Sequence, residues 1–239
     1  MSTFRILVVD DHPVFRLGLG SLLASHPDWE LCGESADGRD AVEKCMQLKP
    51  DLVILDICMP LLNGVEAARQ ILNHDPNLRI LVVTDVASEQ VIRECLEIGV
   101  RGWFFKSDTT QDLVTAVEAL QGGRSMFSAG VSDLILNGYV SRDQAVPPVI
   151  KLSQLSLRER EVIQLVGEGN SSREVARLLG ISLKTAETHR SNIMRKLKLH
   201  SLASLVLYAV TNEIIHVPLP GVSRFTGSAN GREDVATGL

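Results

Sequence analysis

The sequence predicts an α/β doubly wound domain of five parallel strands, followed by a small all-α domain of four helices. Two observations predict the first domain. From residue 5 to about 121, short apolar runs alternate with amphipathic segments, and each run is short, rich in Val, Ile, Leu or aromatics, and bounded by Asp, Gly or Pro, as buried parallel strands are. A third observation predicts the second domain. From residue 153 onward, helix-start signals follow one another at short intervals and the local charge turns basic.

The strand runs are "RILVVD", "WELCGES", "DLVILD", "RILVVT" and "GWFF". Pro13 to Ser25 follows the first, with proline at a helix start, where its fixed φ and missing N–H cost nothing. Arg39 to Leu48, Gly64 to Asn73 and Glu89 to Ile98 follow the next three. In Asp112 to Gln121, Leu113, Val117 and Leu120 recur at helical spacing. Five such units make a sheet with helices on both faces. "QGGRS" breaks the pattern, so residues 1–125 form the first domain. Residues 126–152 are expected to be a linker, with one short helix over Val131 to Gly138; the Pro pair in "SRDQAVPPVIKLSQ" supports that reading. In "SLRE" and "SSRE", Ser156 and Ser171 meet Glu159 and Glu174 three residues later, two capping boxes. They open helices at about 157–168 and 172–179. Gly180 fits a C′ position and Ser182 an N-cap for a helix to about Leu197, and a fourth helix covers about 202–213. Short turns between these helices give a helix-turn-helix layout over 153–216. The Gly-, Ser- and Pro-rich residues 217–239 read as a disordered tail.

Bulk properties narrow the function classes. At 239 residues and 45% hydrophobic content, the chain has room for two ordinary soluble domains. No apolar run approaches a bilayer span, and "MSTFRILVVDD" lacks the parts of a signal peptide. Cys32, Cys45, Cys58 and Cys95 show no CxxC pairing and no His at metal-ligand spacing, which favours reduced thiols in a cytoplasmic protein. The net charge of −5 conceals an asymmetry: Lys151 to His200 holds ten Lys and Arg against five Asp and Glu, while the remainder is strongly acidic. One part is suited to cations and the other to a polyanion.

The chemistry-bearing residues of the first domain fall at the carboxyl ends of its strands, where open parallel sheets collect functional groups. Asp10 and Asp11 end the first strand, Asp56 the third and Thr84 the fourth, and Lys106 directly follows the fifth. A single Asp at a strand end is ordinarily a turn former or helix cap, but these five residues converge from four strands. Three close carboxylates call for a hard divalent cation, and Mg²⁺ suits one or two carboxylates plus phosphate oxygens. Such a cation favours attack of a carboxylate on phosphorus by offsetting anion repulsion.

With "VVDDHP", "LDICMP" followed by "NG", "VVT", "GWFFK" and the long run from "LSLREREVIQLVGEGN" to "IMRKLKL", the chain resembles a two-component response regulator of the NarL/FixJ type. In that family a flavodoxin-like receiver precedes a LuxR-type helix-turn-helix domain. The resemblance covers about 5–122 and 153–213. It implies that Asp56 is the phosphoacceptor and that Asp10, Asp11 and Asp56, with the Cys58 backbone carbonyl, bind Mg²⁺. Thr84 and Lys106 would bind the phosphoryl group, and Trp103 stands where the family has a switching aromatic. A core tryptophan that never rotates is the alternative for Trp103. The resemblance further implies a cognate histidine kinase, double-stranded DNA and a homodimer as partners, RNA polymerase as a further contact, and no membrane. The receiver is expected to shield the recognition helix or the dimer face in the free protein.

Some positions depart from the family. Asp85 stands where a small residue is common and is expected to weaken phosphorylation, and Ser107 stands where Pro is frequent. Cys58 and Val86 flank the family's path for hydrolytic water, which predicts a slowly hydrolysed phosphoaspartate.

Along Ser182 to Leu197, Ala186, Ile193 and Leu197 share one helical face and should pack inward. Lys184, Glu187, Thr188, Ser191 and Arg195 share the other, a stripe suited to the major groove. Glu187 can accept from a cytosine amino group, and Thr188 or Ser191 can bond a base or meet a thymine methyl. Arg190, Lys196 and Lys198 are expected to grip phosphates. His189 reads as packed or phosphate-bonded rather than catalytic. Leu202, Leu205, Val206, Leu207, Ala209 and Val210 make the last helix apolar on more than one face, which demands near-complete burial or a partner.

The expected function is phosphorylation-controlled, sequence-specific transcription regulation, with no enzymatic activity beyond the receiver's own phosphorylation and dephosphorylation. A second reading keeps DNA binding but makes the receiver a constitutive dimerisation or ligand-sensing domain. A third, a Mg²⁺-dependent phosphatase, lacks a separate acid or base and leaves the basic half idle.

Overall fold

The computed structural model describes residues 3–85, 88–132 and 154–215. Val86, most of the expected extra helix, residues 133–152 of the expected linker and the tail lie outside the described residues.

The first domain runs β1 (Phe4–Val9), α1 (Pro13–Ala24), β2 (Trp29–Ser35), α2 (Gly38–Leu48), β3 (Leu52–Leu55), α3 (Gly64–His74), β4 (Arg79–Thr84), α4 (Glu89–Ile98), β5 (Gly102–Phe105) and α5 (Thr110–Gln121). A further strand, β6 (Met126–Phe127), pairs parallel with β5. The sheet therefore has six strands among the described residues, in the order β2-β1-β3-β4-β5-β6, where five were expected. Two residues are too few to show a period. The Met126 and Ser128 N–H groups reach the Arg101 and Trp103 carbonyls, so β6 exists because it satisfies the open edge of β5.

Strand alternation divides the core. Leu7, Val9, Val53, Leu55, Ile80, Val82 and Trp103 pack on the side of α2, α3 and α4. Ile6, Val8, Leu52, Ile54, Leu81, Val83 and Phe104 pack with residues of α1 and α5. Both faces are dry, which explains why the runs read as continuously apolar. In this strand order the chain reverses direction beside β1, so the crevice opens between the carboxyl ends of β1 and β3.

The helical domain comprises α6 (Leu157–Gly167), α7 (Ser172–Leu179), α8 (Leu183–Lys196) and α9 (Leu202–Thr211). Both capping boxes form: the Ser156 and Ser171 hydroxyls accept from the Glu159 and Glu174 N–H groups, and each Glu side chain accepts from its serine's N–H. Gly180 ends α7 at φ 63°, a left-handed position that suits glycine. Ser182 then caps α8 by accepting from the Thr185 N–H. Val162, Ile163, Val175, Leu179, Ala186, Ile193, Leu205 and Ala209 close this domain's core.

The domains pack through α6. Arg160 Nη1 lies 2.7 Å from Glu66 Oε1 and 3.2 Å from Glu94 Oε1, and Arg69 contacts the same two carboxylates. Two cations face two anions, so the buried cluster is neutral as a whole, which charges removed from water require.

Candidate phosphoacceptor site and DNA-facing helix

β1 delivers Asp10, 1% exposed, and β3 delivers Asp56, 2% exposed. Their backbones are tied together: the Asp56 N–H donates to the Val9 carbonyl. Lys106 follows β5, and its N–H donates to the Thr84 carbonyl. Its Nζ then lies 2.6 Å from Asp10 Oδ2 and 2.9 Å from Asp56 Oδ2. The Phe15 ring, on the first turn of α1, covers the ammonium at 4.8 Å. Thr84 is fully buried at the end of β4.

The electrostatics follow from this crowding. Burial, and then the neighbouring Asp56 charge, push the Asp10 carboxyl above its ordinary pKa, although Lys106 opposes both. Burial works against the Lys106 ammonium, yet Asp56 and Asp10 outweigh it and raise its pKa. One ammonium among three carboxylates leaves the pocket net negative. Asp10, Asp11, His12 and Asp56 each offer one ligand atom, all within 4.8 Å of one another. The carboxylates are hard oxygen donors, and two are buried where repulsion is least screened. An acidic pocket of this kind is compatible with Mg²⁺.

His12, adjacent to the acidic pair, lies with Nδ1 2.8 Å from Asp11 Oδ1. Neither His12 nor Phe15 was singled out from the sequence, since a histidine beside carboxylates and a phenylalanine opening a helix carry no signal of their own. The Cys58 N–H donates to Asp56 Oδ1 at 3.2 Å. Trp103 is 1% exposed and belongs to the core, its indole N–H without an acceptor among the described residues. Asp85 is exposed, and Lys106 is paired with Asp10 and Asp56.

On α8, Lys184, Glu187, Thr188, Ser191 and Arg195 are exposed, while Ala186, Ile193 and Leu197 are buried. The Thr188 hydroxyl donates to the Lys184 carbonyl. Arg190 and His189 are half-buried, and Lys198 is exposed. Lys196 Nζ lies 2.6 Å from Glu159 Oε2, so part of its charge is spent inside the domain. α9 buries Leu205 and Ala209 and leaves Leu202, Leu207 and Val210 at 53%, 66% and 36% exposure.

The expected shielding takes a different form. Among the described residues, the α8 stripe stays exposed, as do Leu202, Leu207 and Val210 of α9. The Arg160 charge cluster seats α6 on the sheet domain instead, which leaves α8 facing solvent.

Comparison with known proteins agrees with this architecture. The model of the response regulator receiver domain matches residues 6–118, and that of bacterial regulatory proteins of the luxR family matches 153–209. Response regulator protein VraR of Staphylococcus aureus is 33% identical over 213 residues, spanning 89% of this chain and 99% of its own. The structure of a LuxR-family two-component response regulator from Aurantimonas sp. SI85-9A1 is 34% identical, covering 58% of this chain and 99% of that one, with a TM-score of 0.56. The RcsB response regulator of Salmonella typhimurium is 26% identical over 89% of this chain and 99% of its own, with a TM-score of 0.58. An RcsB–DNA complex is 26% identical over 87% of this chain and 98% of that one, with a TM-score of 0.54. The chain belongs to the response regulators that join a receiver to a LuxR-type DNA-binding domain. It is a DNA-binding transcription regulator.

Proposed function

We propose that Asp56 accepts a phosphoryl group from a histidine kinase in a Mg²⁺-dependent reaction, and that this controls dimerisation and DNA binding. The observation that carries the reading is the Lys106 ammonium held between Asp10 and Asp56 at the carboxyl edge of the sheet. An Asp56 carboxylate oxygen attacks the phosphorus of a phosphohistidine. The O–P bond forms as the P–N bond breaks, and the departing imidazole nitrogen keeps the bonding pair. Lys106 and the Thr84 hydroxyl hold phosphoryl oxygens. Asp10, Asp11, Asp56 and the Cys58 carbonyl would hold Mg²⁺, which supplies positive charge against the meeting anions. The chain is modified rather than turning over a separate substrate.

In the DNA-binding domain, α8 enters the major groove. Lys184, Glu187, Thr188, Ser191 and Arg195 face the groove, where Glu187, Thr188 and Ser191 read base edges, while Arg190, Lys196 and Lys198 grip phosphates. The exposed Leu202, Leu207 and Val210 support a homodimer through α9, and a twofold dimer matches paired half-sites. Among the described residues no helix is long and apolar enough to cross a membrane, in keeping with a cytoplasmic protein that meets DNA and RNA polymerase.

Asp56→Asn tests the reading. Labelling by acetyl phosphate with Mg²⁺ should disappear, together with any phosphorylation-dependent gain in DNA affinity. Regulation that survives intact in Asp56→Asn would instead favour the phosphorylation-independent receiver.

A further inference from the structure

The loop between Asp56 and α3 is held from the other domain. Gln164 of α6 is 1% exposed, and both its amide N–H groups and its carbonyl oxygen are engaged. Nε2 donates to the Met59 carbonyl at 3.1 Å and to Glu168 Oε1 at 2.8 Å, while Oε1 accepts from the Asn63 N–H at 2.8 Å. One side chain thus grips both arms of residues 59–63. Glu168 accepts in addition from the Leu61 N–H at 3.2 Å, and the Asn63 side chain donates to the Ile214 carbonyl.

Between the gripped ends lies Leu61, at φ 68°. A leucine in the left-handed region is strained and persists only when its surroundings impose it. A tight turn of the loop itself supplies the angle, the Leu62 N–H donating to the Pro60 carbonyl at 2.8 Å, and the turn presents the Leu61 side chain to the hydrophobic core of the DNA-binding domain, against which it packs. Once the domain leaves, Leu61 keeps its turn but loses the apolar packing that offsets the strain.

We infer that Gln164 and Leu61 form a latch across the domain boundary that sets the conformation of the phosphoacceptor loop, making Gln164 a positioning residue for the receiver's chemistry. The inference deepens the Asp56 reading and rests on it. Cys58, whose carbonyl that reading assigns to the metal, is bonded through its N–H to Asp56 and directly precedes Met59, which Gln164 holds. Charge arriving at Asp56 therefore acts on the peptide next to the latch. Coupling of this kind is reciprocal: if phosphorylation loosens the domain, loosening the domain favours phosphorylation.

The test uses full-length protein with acetyl phosphate and Mg²⁺, read as the initial labelling rate by intact mass. Gln164→Ala and Leu61→Gly should each be labelled faster than the natural chain, because the freed loop no longer has to break its bonds to α6 before it rearranges. Both should also show faster amide exchange across 57–63. A gain in rate separates this role from simple damage, which would lower it. Glycine suits φ 68°, so Leu61→Gly carries the test even where Gln164→Ala folds poorly. Asp56→Asn runs alongside. If the natural chain is not labelled, or Asp56→Asn is labelled equally well, the phosphoacceptor reading itself falls. If the natural chain is labelled at Asp56 while both variants match it or lag behind, the latch is overturned.

Discussion

Gly64 shows how tightly single residues hold the phosphoacceptor. Its N–H donates to the Ile57 carbonyl at 2.9 Å, folding the start of α3 back onto the end of β3. A Cβ built there would lie 2.0 Å from the Asp56 carbonyl oxygen and 2.8 Å from the Ile57 Cα. Both are backbone atoms that no rotamer change can move. Gly64→Ala must therefore displace the peptide that carries Asp56. We expect a loss of about 1–3 kcal/mol, as for overpacking elsewhere, seen in thermal unfolding. Labelling by acetyl phosphate should fall about tenfold to a hundredfold, since misplacing a reacting group by an ångström has that effect. Gly64→Ala labelled at the natural rate would show that the loop absorbs a methyl group without moving Asp56.

At the scale of elements, α6 and α8 are joined by a charge that also caps a helix. Glu159 accepts from the Ser156 N–H at the start of α6 and from Lys196 Nζ at the end of α8. Burial pushes its carboxyl up, but Lys196 and Ser156 outweigh that and hold it below the ordinary 4.5. With the folded pKa below the unfolded one, the stabilisation is complete above about pH 4.5 and is lost as pH falls through the folded value. Glu159→Gln should therefore unfold about 1 kcal/mol more easily at pH 7, the usual worth of a cap. The gap from the natural chain should close below pH 4.5, as read by urea unfolding followed by circular dichroism. A gap of constant size at every pH would mean that packing, not charge, makes the difference. The helices themselves were legible because their signals are local: Ser156, Ser171, Gly180 and Ser182 act on residues three or four positions away. The strands of the sheet were legible because both faces are dry. β6 was not, since two residues pair only because β5 offers an edge. The acidic pocket could be read from strand ends, whereas Phe15 reaches Lys106 only through the fold. Gln164 looks like any polar residue inside a capped helix, and nothing local marks Leu61 as left-handed.

At the scale of the whole molecule, the balance between docked and separated domains rests on the cluster of Glu66, Glu94, Arg69 and Arg160. Glu66 is 5% exposed and Arg160 8%, so solvent does little to screen either. Arg160→Ala leaves two carboxylates facing the single charge of Arg69. Breaking a buried pair from one side commonly costs about 3–5 kcal/mol. The chain can relieve that cost by separating its domains and hydrating Glu66. We therefore expect Arg160→Ala to raise the radius of gyration measured by small-angle X-ray scattering, with each domain's secondary structure retained. Adding Glu66→Gln restores neutrality between Glu94 and Arg69, and the double variant should be more compact than Arg160→Ala alone. High salt should mimic the single variant only weakly, because a buried cluster is poorly screened. If the single and double variants scatter alike, the charges merely accompany a docking that Leu61 and Gln164 accomplish without them.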